Sequence, residues 1–211
     1  LCSKDDQYRQ HSIQELQRVI DMARSLIPFF SQASRPLIIT NVGGFTSDEP
    51  ISSAQRSELY EILCDSLSKL DKEGVEIIPQ TMPPFPWHFG GQRFHNLFVE
   101  PQDIVEFCQN QGYRVCLDIS HSKLACNEYG LSFKKFIEQV GPYTAHLHIV
   151  DAAGIDSEGL QIGEGEIDFP ALAEDLDQYA PNASFIPEVW QGHKNEGEGF
   201  WIALEKLEKH F

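Results

Sequence analysis

Polar residues that directly follow short apolar runs carry what chemistry this sequence can offer. They are Asn41 after "RPLIIT", Gln80 after "GVEIIP", Asp118 with His121 in "RVCLDISH", His148 with Asp151 in "YTAHLHIVDA", and Glu188 after "SFIP". Oxygen and imidazole donors of these types suit a divalent cation, and such a set exceeds what ordinary turns require. Each member also has a plainer reading. Asp118 or Ser120 is equally able to cap a following helix, and His121 to serve as a hydrogen-bonded turn residue. His146 and His148 alternate by two and share a strand face; with His148 at the rim, His146 lies one layer deeper as a buried, satisfied histidine. Glu188 is the most informative position, because a carboxylate beside an apolar strand is costly unless paired or metal-bound. The convergence of the set carries the reading.

The runs that precede these residues read as strands, and the segments between them have helical period. Residues 12–30 place Ile13, Leu16, Val19, Ile20, Ala23, Leu26 and Ile27 on one face, with Ser12 as N-cap and Glu15 completing a capping box. Residues 35–44, 74–86, 113–120, 143–152 and 183–190 read as five strands. Residues 52–72, 99–112, 131–141, 167–180 and 199–211 read as helices, with Pro101 in a first turn and Gly112 at a C-terminus; a helical pattern also resumes after His121. Apolar strands alternating with helices predict an α/β fold with a parallel sheet, whose sites form at the C-terminal strand ends. The longest irregular stretch, 82–98, is rich in Pro, Gly, His and aromatic residues, as functional loops tend to be.

The 211 residues suffice for one domain with a substantial core. A net charge of −16 without a basic cluster argues against nucleic acid and anionic lipid as partners, and no apolar run approaches a membrane span. Five cysteines without C-x-x-C spacing read as free thiols in a reducing compartment, hence cytoplasmic.

The pieces "VEIIPQTMPP", "VCLDISH", "AHLHIVDA", "IGEGEIDFPAL" and "IPEVW", in this order, resemble the xylose-isomerase-like TIM barrel superfamily of sugar isomerases and epimerases, inosose dehydratases and the endonuclease IV group. The resemblance covers roughly residues 75–190. It implies a parallel (β/α) barrel of TIM type with about five of the usual eight βα units in this chain. It implies a metal site of Gln80, Asp118, His148 and Glu188 for one divalent ion (Mn, Mg, Co or Zn), with Glu188 as base and His121 beside a small carbohydrate substrate. Trp190, His193 and Lys194 would meet that substrate, and Trp87 or Phe89 would offer a further apolar face. The family has Glu where this chain has Gln80, whose neutral amide can coordinate but cannot act as a base; occupancy of the metal site turns on that position. A barrel lacking its first strands exposes a sheet edge, so the expectation is a portion of a longer protein, or an assembly or further domain that covers the edge. The activity implied is isomerisation or epimerisation of a sugar or sugar phosphate. The alternative is a catalytically degenerate barrel with a binding or structural role in a larger biosynthetic protein. An abasic-site endonuclease fits less well, since Ser157 and Gly159 stand where its additional metal ligands would align.

Overall fold

The computed structural model describes residues 1–30, 35–88 and 91–211, with His88 described by its backbone only. Five parallel strands form its centre: β1 (Leu37–Thr40), β2 (Glu76–Pro79), β3 (Val115–Asp118), β4 (Thr144–Ile149) and β5 (Ser184–Pro187). Their order follows the sequence. β1 pairs with β2, a parallel bridge between Gln80 and Cys116 joins β2 to β3, and β3, β4 and β5 pair in turn. The C-terminal ends of all five strands therefore lie on one side. Among the described residues, β1 and β5 each have one paired neighbour, so the sheet is open at both edges.

Among the described residues seven α-helical segments accompany the strands: α1 (Asp6–Leu26), α2 (Ser53–Ser68), α3 (Pro101–Gln111), α4 (Ile119–Tyr129), α5 (Phe133–Val140), α6 (Phe169–Tyr179) and α7 (Lys194–Leu207), the last kinked at Asn195, Glu196 and Gly197. The alternation of side chains along each strand separates two faces. Ile38, Ile77, Leu117, Leu147 and Ile149 join one large core with residues of the helices, including Ile20, Leu63, Ile104, Phe136 and Leu172. On the other face Ile78, Cys116 and Ala145 pack with Leu37 and Ile39 in a small apolar cluster. That cluster lies one strand residue-pair below Gln80 and Asp118, and forms the floor of the site.

Local chemistry accounts for most of the helix boundaries. Ser52 and Gln55 form a capping box at α2, Ser132 caps α5 through Lys135 N, and Asp168 caps α6 through Ala171 N. Pro101 opens α3, and Gly112 closes it at φ +69°, a conformation that favours glycine. The expected start of the first helix is corrected. Its N-cap is Asp5, which accepts from Tyr8 N, while Ser12 lies inside the helix and bonds back to Tyr8 O. Ile13, Leu16 and Ile20 are buried, but Val19 and Leu26 face solvent, so the helix covers the core with a narrower stripe than its sequence suggests.

The 82–98 segment is held down at its far end by Met82 N donating to Phe98 O and Phe98 N donating to Tyr60 Oη. The five cysteines are free, four of them buried. No helix among the described residues is long and apolar enough to cross a membrane.

Candidate metal centre

Asp118 ends β3 and caps α4 at once. Its Oδ1 accepts from His121 N at 2.9 Å and Ser120 Oγ at 3.0 Å, which fixes the carboxylate by the start of the helix. Its main-chain N donates to Thr81 Oγ1 at 2.9 Å. Asp118 thus caps α4 and still has a second carboxylate oxygen to present to the neighbouring strand ends. Oδ2 is left to face inward, where Gln80 Nε2 stands 3.0 Å away and His148 Nδ1 3.5 Å away.

Gln80 follows β2, and its Nε2 also lies 3.1 Å from His148 Nδ1. His148 sits on β4 in register with Asp118 of β3 and Ile186 of β5. Its Nδ1 meets Glu188 Oε2 at 2.6 Å, and Glu188 itself follows β5 with about half of its side chain exposed. One ring nitrogen cannot accept from an amide and donate to a carboxylate together. The amide contact is therefore satisfied through Asp118 alone, or by the amide turning its oxygen inward.

Charge follows from these contacts. Burial opposes ionisation of Asp118, but His121 and His148 outweigh it and hold the carboxyl at about 2. Burial likewise opposes charging of His148, yet Asp118, Cys116 and Glu188 push its pKa up to about 12. His121 is raised to about 9, with Asp118 and Glu158 overcoming desolvation. Buried imidazolium thus neutralises the carboxylates where a cation otherwise would.

The donor set fits a divalent ion. Ligand atoms at about 2.1 Å from such an ion stand about 3 Å from one another. Asp118 Oδ2 and Glu188 Oε2 are 3.5 and 2.6 Å from His148 Nδ1. Among the described residues, Asp118, His148 and Glu188 are the one group of three or more His, Cys, Asp or Glu side chains whose ligand atoms come within 4.8 Å of one another. The Gln80 amide is at the same spot.

Asp118 and Glu188 of the cluster line a cleft of about 730 Å³ together with Gln80, His121, Glu158, Trp190, His193 and Lys194. Trp190 is mostly exposed, and Lys194 Nζ donates to Gln191 Oε1 at 2.8 Å. Trp87 is exposed and is not part of this lining, and Phe89 lies outside the described residues. His146 is half-buried, one strand pair below His148, with Nδ1 2.7 Å from Ser184 Oγ. Asp151 turns away from the centre and binds four main-chain N–H groups of the following loop.

Glu158 is a site residue that the sequence pattern does not reveal. It stands on a hairpin of Asp151–Ala153 with Ser157–Leu160, pinned by Trp190 N donating to Gly159 O at 2.8 Å. The hairpin brings Glu158 Oε2 to 3.1 Å from His121 Nε2, while His121 Nδ1 meets Thr81 O at 2.9 Å. Both ring nitrogens of His121 thus face acceptors. Glu158 reads in sequence as one more acid in a polar loop, and only its long-range contact distinguishes it.

Known proteins share this architecture. The family model described as "Xylose isomerase-like TIM barrel" matches residues 1–210. A D-tagatose 3-epimerase-like protein superposes with a TM-score of 0.67 at 20% identity, over 99% of this chain and 74% of its own. The D-allulose 3-epimerase of Methylomonas sp. gives 0.68 at 14% identity, over 100% and 73%. The IolI protein, solved with a bound zinc atom, gives 0.70 at 14%, over 99% and 73%. Among curated proteins, the uncharacterized protein MJ1311 of Methanocaldococcus jannaschii is 26% identical over 120 residues, 56% of this chain but only 38% of that protein's length. With its parallel strands, their covering helices and a family match over nearly its whole length, this chain belongs to the xylose isomerase-like TIM barrel family.

Proposed function

We propose that residues 1–211 form a single barrel domain, or the C-terminal portion of one, that isomerises or epimerises a sugar or sugar phosphate with the help of one divalent metal ion. The observation that carries this reading is the Asp118–His148–Glu188 cluster, placed at C-terminal strand ends, with Asp118 and Glu188 lining a cleft of about 730 Å³. Asp118, His148, Glu188 and the Gln80 oxygen would hold the ion, with Mn, Mg, Co and Zn all compatible. When bound it would polarise a substrate carbonyl or hydroxyl. Glu188, half-exposed at the cleft, takes a proton from the carbon beside that carbonyl. His121 would hydrogen-bond a substrate hydroxyl; its Nδ1 lies 2.9 Å from Thr81 O and its Nε2 3.1 Å from Glu158 Oε2. Trp190 offers an apolar face, and His193 and Lys194 meet polar or anionic substrate groups at the mouth. The substrate is a small carbohydrate.

Free cysteines support a reducing, cytoplasmic setting. The exposed Phe185 and Ile186 on the edge strand β5 support cover by further chain or a second copy.

Gln80 favours a second reading. Its amide already donates to Asp118, as it would in a degenerate barrel that uses the cleft for binding or structure alone. Metal titration of the purified chain separates the two. The first reading expects Mn²⁺ or Zn²⁺ to bind at tens of micromolar or tighter and Asp118→Ala to remove it. No binding by the parent, with recovery in Gln80→Glu, would establish the degenerate reading instead.

A further inference from the structure

Glu158 lies outside the group proposed to hold the ion, yet it lines the cleft with 33% of its side chain exposed. Its Oε2 is buried without a hydrogen bond, with His121 Nε2 3.1 Å away, and its Oε1 has no partner among the described residues. A carboxylate accepts several hydrogens and donates none, so the fold leaves acceptor capacity here that it does not fill. The hairpin fixes where that capacity points. Trp190 N donates to Gly159 O at 2.8 Å, and a Cβ on Gly159 would lie 3.0 Å from Trp190 Cβ, so the carboxylate and the exposed indole are held as neighbours. An acceptor beside an aromatic face suits a ligand with hydroxyl groups and an apolar side.

A row of contacts runs from Glu158 to His121 at 3.1 Å, on to Asp118 at 3.4 Å, His148 at 3.5 Å and Glu188 at 2.6 Å. A sugar whose carbonyl sits at the Asp118–His148–Glu188 end therefore meets Glu158 with carbons remote from that carbonyl. Main-chain donors that could hold an anion near these strand ends are already taken. Gly163 N and Gly165 N both donate to Asp151 Oδ2 at 2.9 Å, His121 N to Asp118 Oδ1, and Lys194 N to Gln191 O. Among the described residues no arginine lines the cleft, and the Lys194 ammonium is bonded to Gln191.

From this we infer that Glu158 is a substrate-recognition residue, whose unfilled oxygen accepts hydroxyl hydrogens from the part of the sugar remote from the reacting carbonyl and whose charge rejects a phosphate there. The inference rests on the sugar reading above, and it names the substrate class as a sugar whose remote carbons carry free hydroxyls. A hydroxyl donating to a carboxylate makes a charge-assisted bond. A phosphate at the same place brings like charge against an acceptor that has no hydrogen to give, and that repulsion sets the specificity.

The test compares free ketoses with their phosphates. NMR titration of the ¹⁵N-labelled chain in Mg²⁺ reads the affinity for D-fructose, D-tagatose, D-xylulose and D-ribulose, and for the phosphate ester of each at its terminal carbon. At least one free ketose should move the Gly159 and Trp190 amide signals and bind about tenfold or more tighter than its phosphate. Glu158→Gln keeps the shape and removes the charge, and it should weaken that ketose while bringing the two affinities to within about threefold of each other. A purely structural Glu158 would weaken both ligands alike and leave their ratio unchanged. A phosphate bound as tightly as its free ketose, or a ratio unmoved by Glu158→Gln, overturns the inference and leaves the isomerase reading standing. The same samples in D₂O report hydrogen exchange at the carbon beside the carbonyl. Binding with the expected ratio but without exchange removes the isomerase reading and keeps recognition by Glu158, whereas no binding of any of these sugars overturns both.

Discussion

Asp118 and Asp151 are buried carboxylates at the ends of neighbouring strands, and they serve opposite ends. Asp151 accepts from Ala152 N at 2.8 Å and Ile167 N at 3.1 Å through one oxygen, and from Gly163 N and Gly165 N at 2.9 Å through the other. Every partner is main chain. The loop wraps so tightly that a Cβ on Gly165 would lie 2.4 Å from Asp151 Oδ1. Asp118 gives one oxygen to the start of α4 and turns the other toward side chains that can rotate, ionise or ligate. Burial is thus no guide to purpose. A carboxylate closed by fixed backbone donors organises a loop, whereas one half-closed by a helix start keeps an oxygen for neighbouring side chains.

Substitution at each aspartate separates these uses. Asp151→Ala strands four backbone donors, and at about 1–3 kcal/mol for each buried group left unpaired the largest stability loss is expected here. A denaturant titration showing a loss under about 1 kcal/mol would break the contrast. Asp118→Asn keeps a side chain that caps about equally well but removes a charge. Its Mn²⁺ affinity should fall about 100-fold, equivalent to about 2.7 kcal/mol, and the melting midpoint should also fall, by less than in Asp151→Ala, because the buried charge that faces His121 and His148 is lost. Retained affinity would remove Asp118 from the centre.

Acidity gives a subtler probe. The pKa of His148 stands near 12 in the metal-free chain, and a ligating imidazole nitrogen must be bare. Binding should therefore release about one proton, and affinity should climb about tenfold per pH unit through neutrality. Calorimetry in buffers of different ionisation enthalpy checks this. His121, raised above its unfolded value to about 9, stabilises the fold below about pH 6.5 and loses that contribution as pH rises through 9. Asp118, held at about 2, acts in the reverse sense, stabilising above about pH 4 and failing only as pH falls through 2. The smallest effect is expected from Gly159→Ala. A Cβ there would lie 3.0 Å from Trp190 Cβ at a φ of +73°, costing about 1 kcal/mol and loosening Glu158 from His121.

Strand ends were the legible part of this molecule. Apolar runs followed at once by Gln80, Asp118, His148 and Glu188 announce both the strands and the wall they build, because period-two burial and the parallel sheet leave those positions one place to go. What stayed hidden depends on contacts distant in sequence. Asp151 and His148 look alike as strand-end residues, and only the return of residues 163–167 shows that Asp151 is already filled. Glu158 gains its meaning from a hairpin pinned by Trp190. Ser12 and Glu15 have the spacing of a capping box but sit inside α1, since Asp5 supplies a cap earlier in the chain. The last helix runs regularly only after Gly197, near the expected Gly199; left-handed Asn195, Glu196 and Gly197 kink the chain just ahead of it, which no apolar period foretells.

The bond from His121 N to Asp118 Oδ1 makes the first turn of α4 a built-in reporter. When a ligand engages the opposite oxygen of Asp118, the carboxylate loses its freedom to swing, and the His121 amide should exchange with deuterated solvent more slowly, along with the rest of that turn. Occupancy of the cleft could thus be followed through one backbone hydrogen, before any substrate is identified.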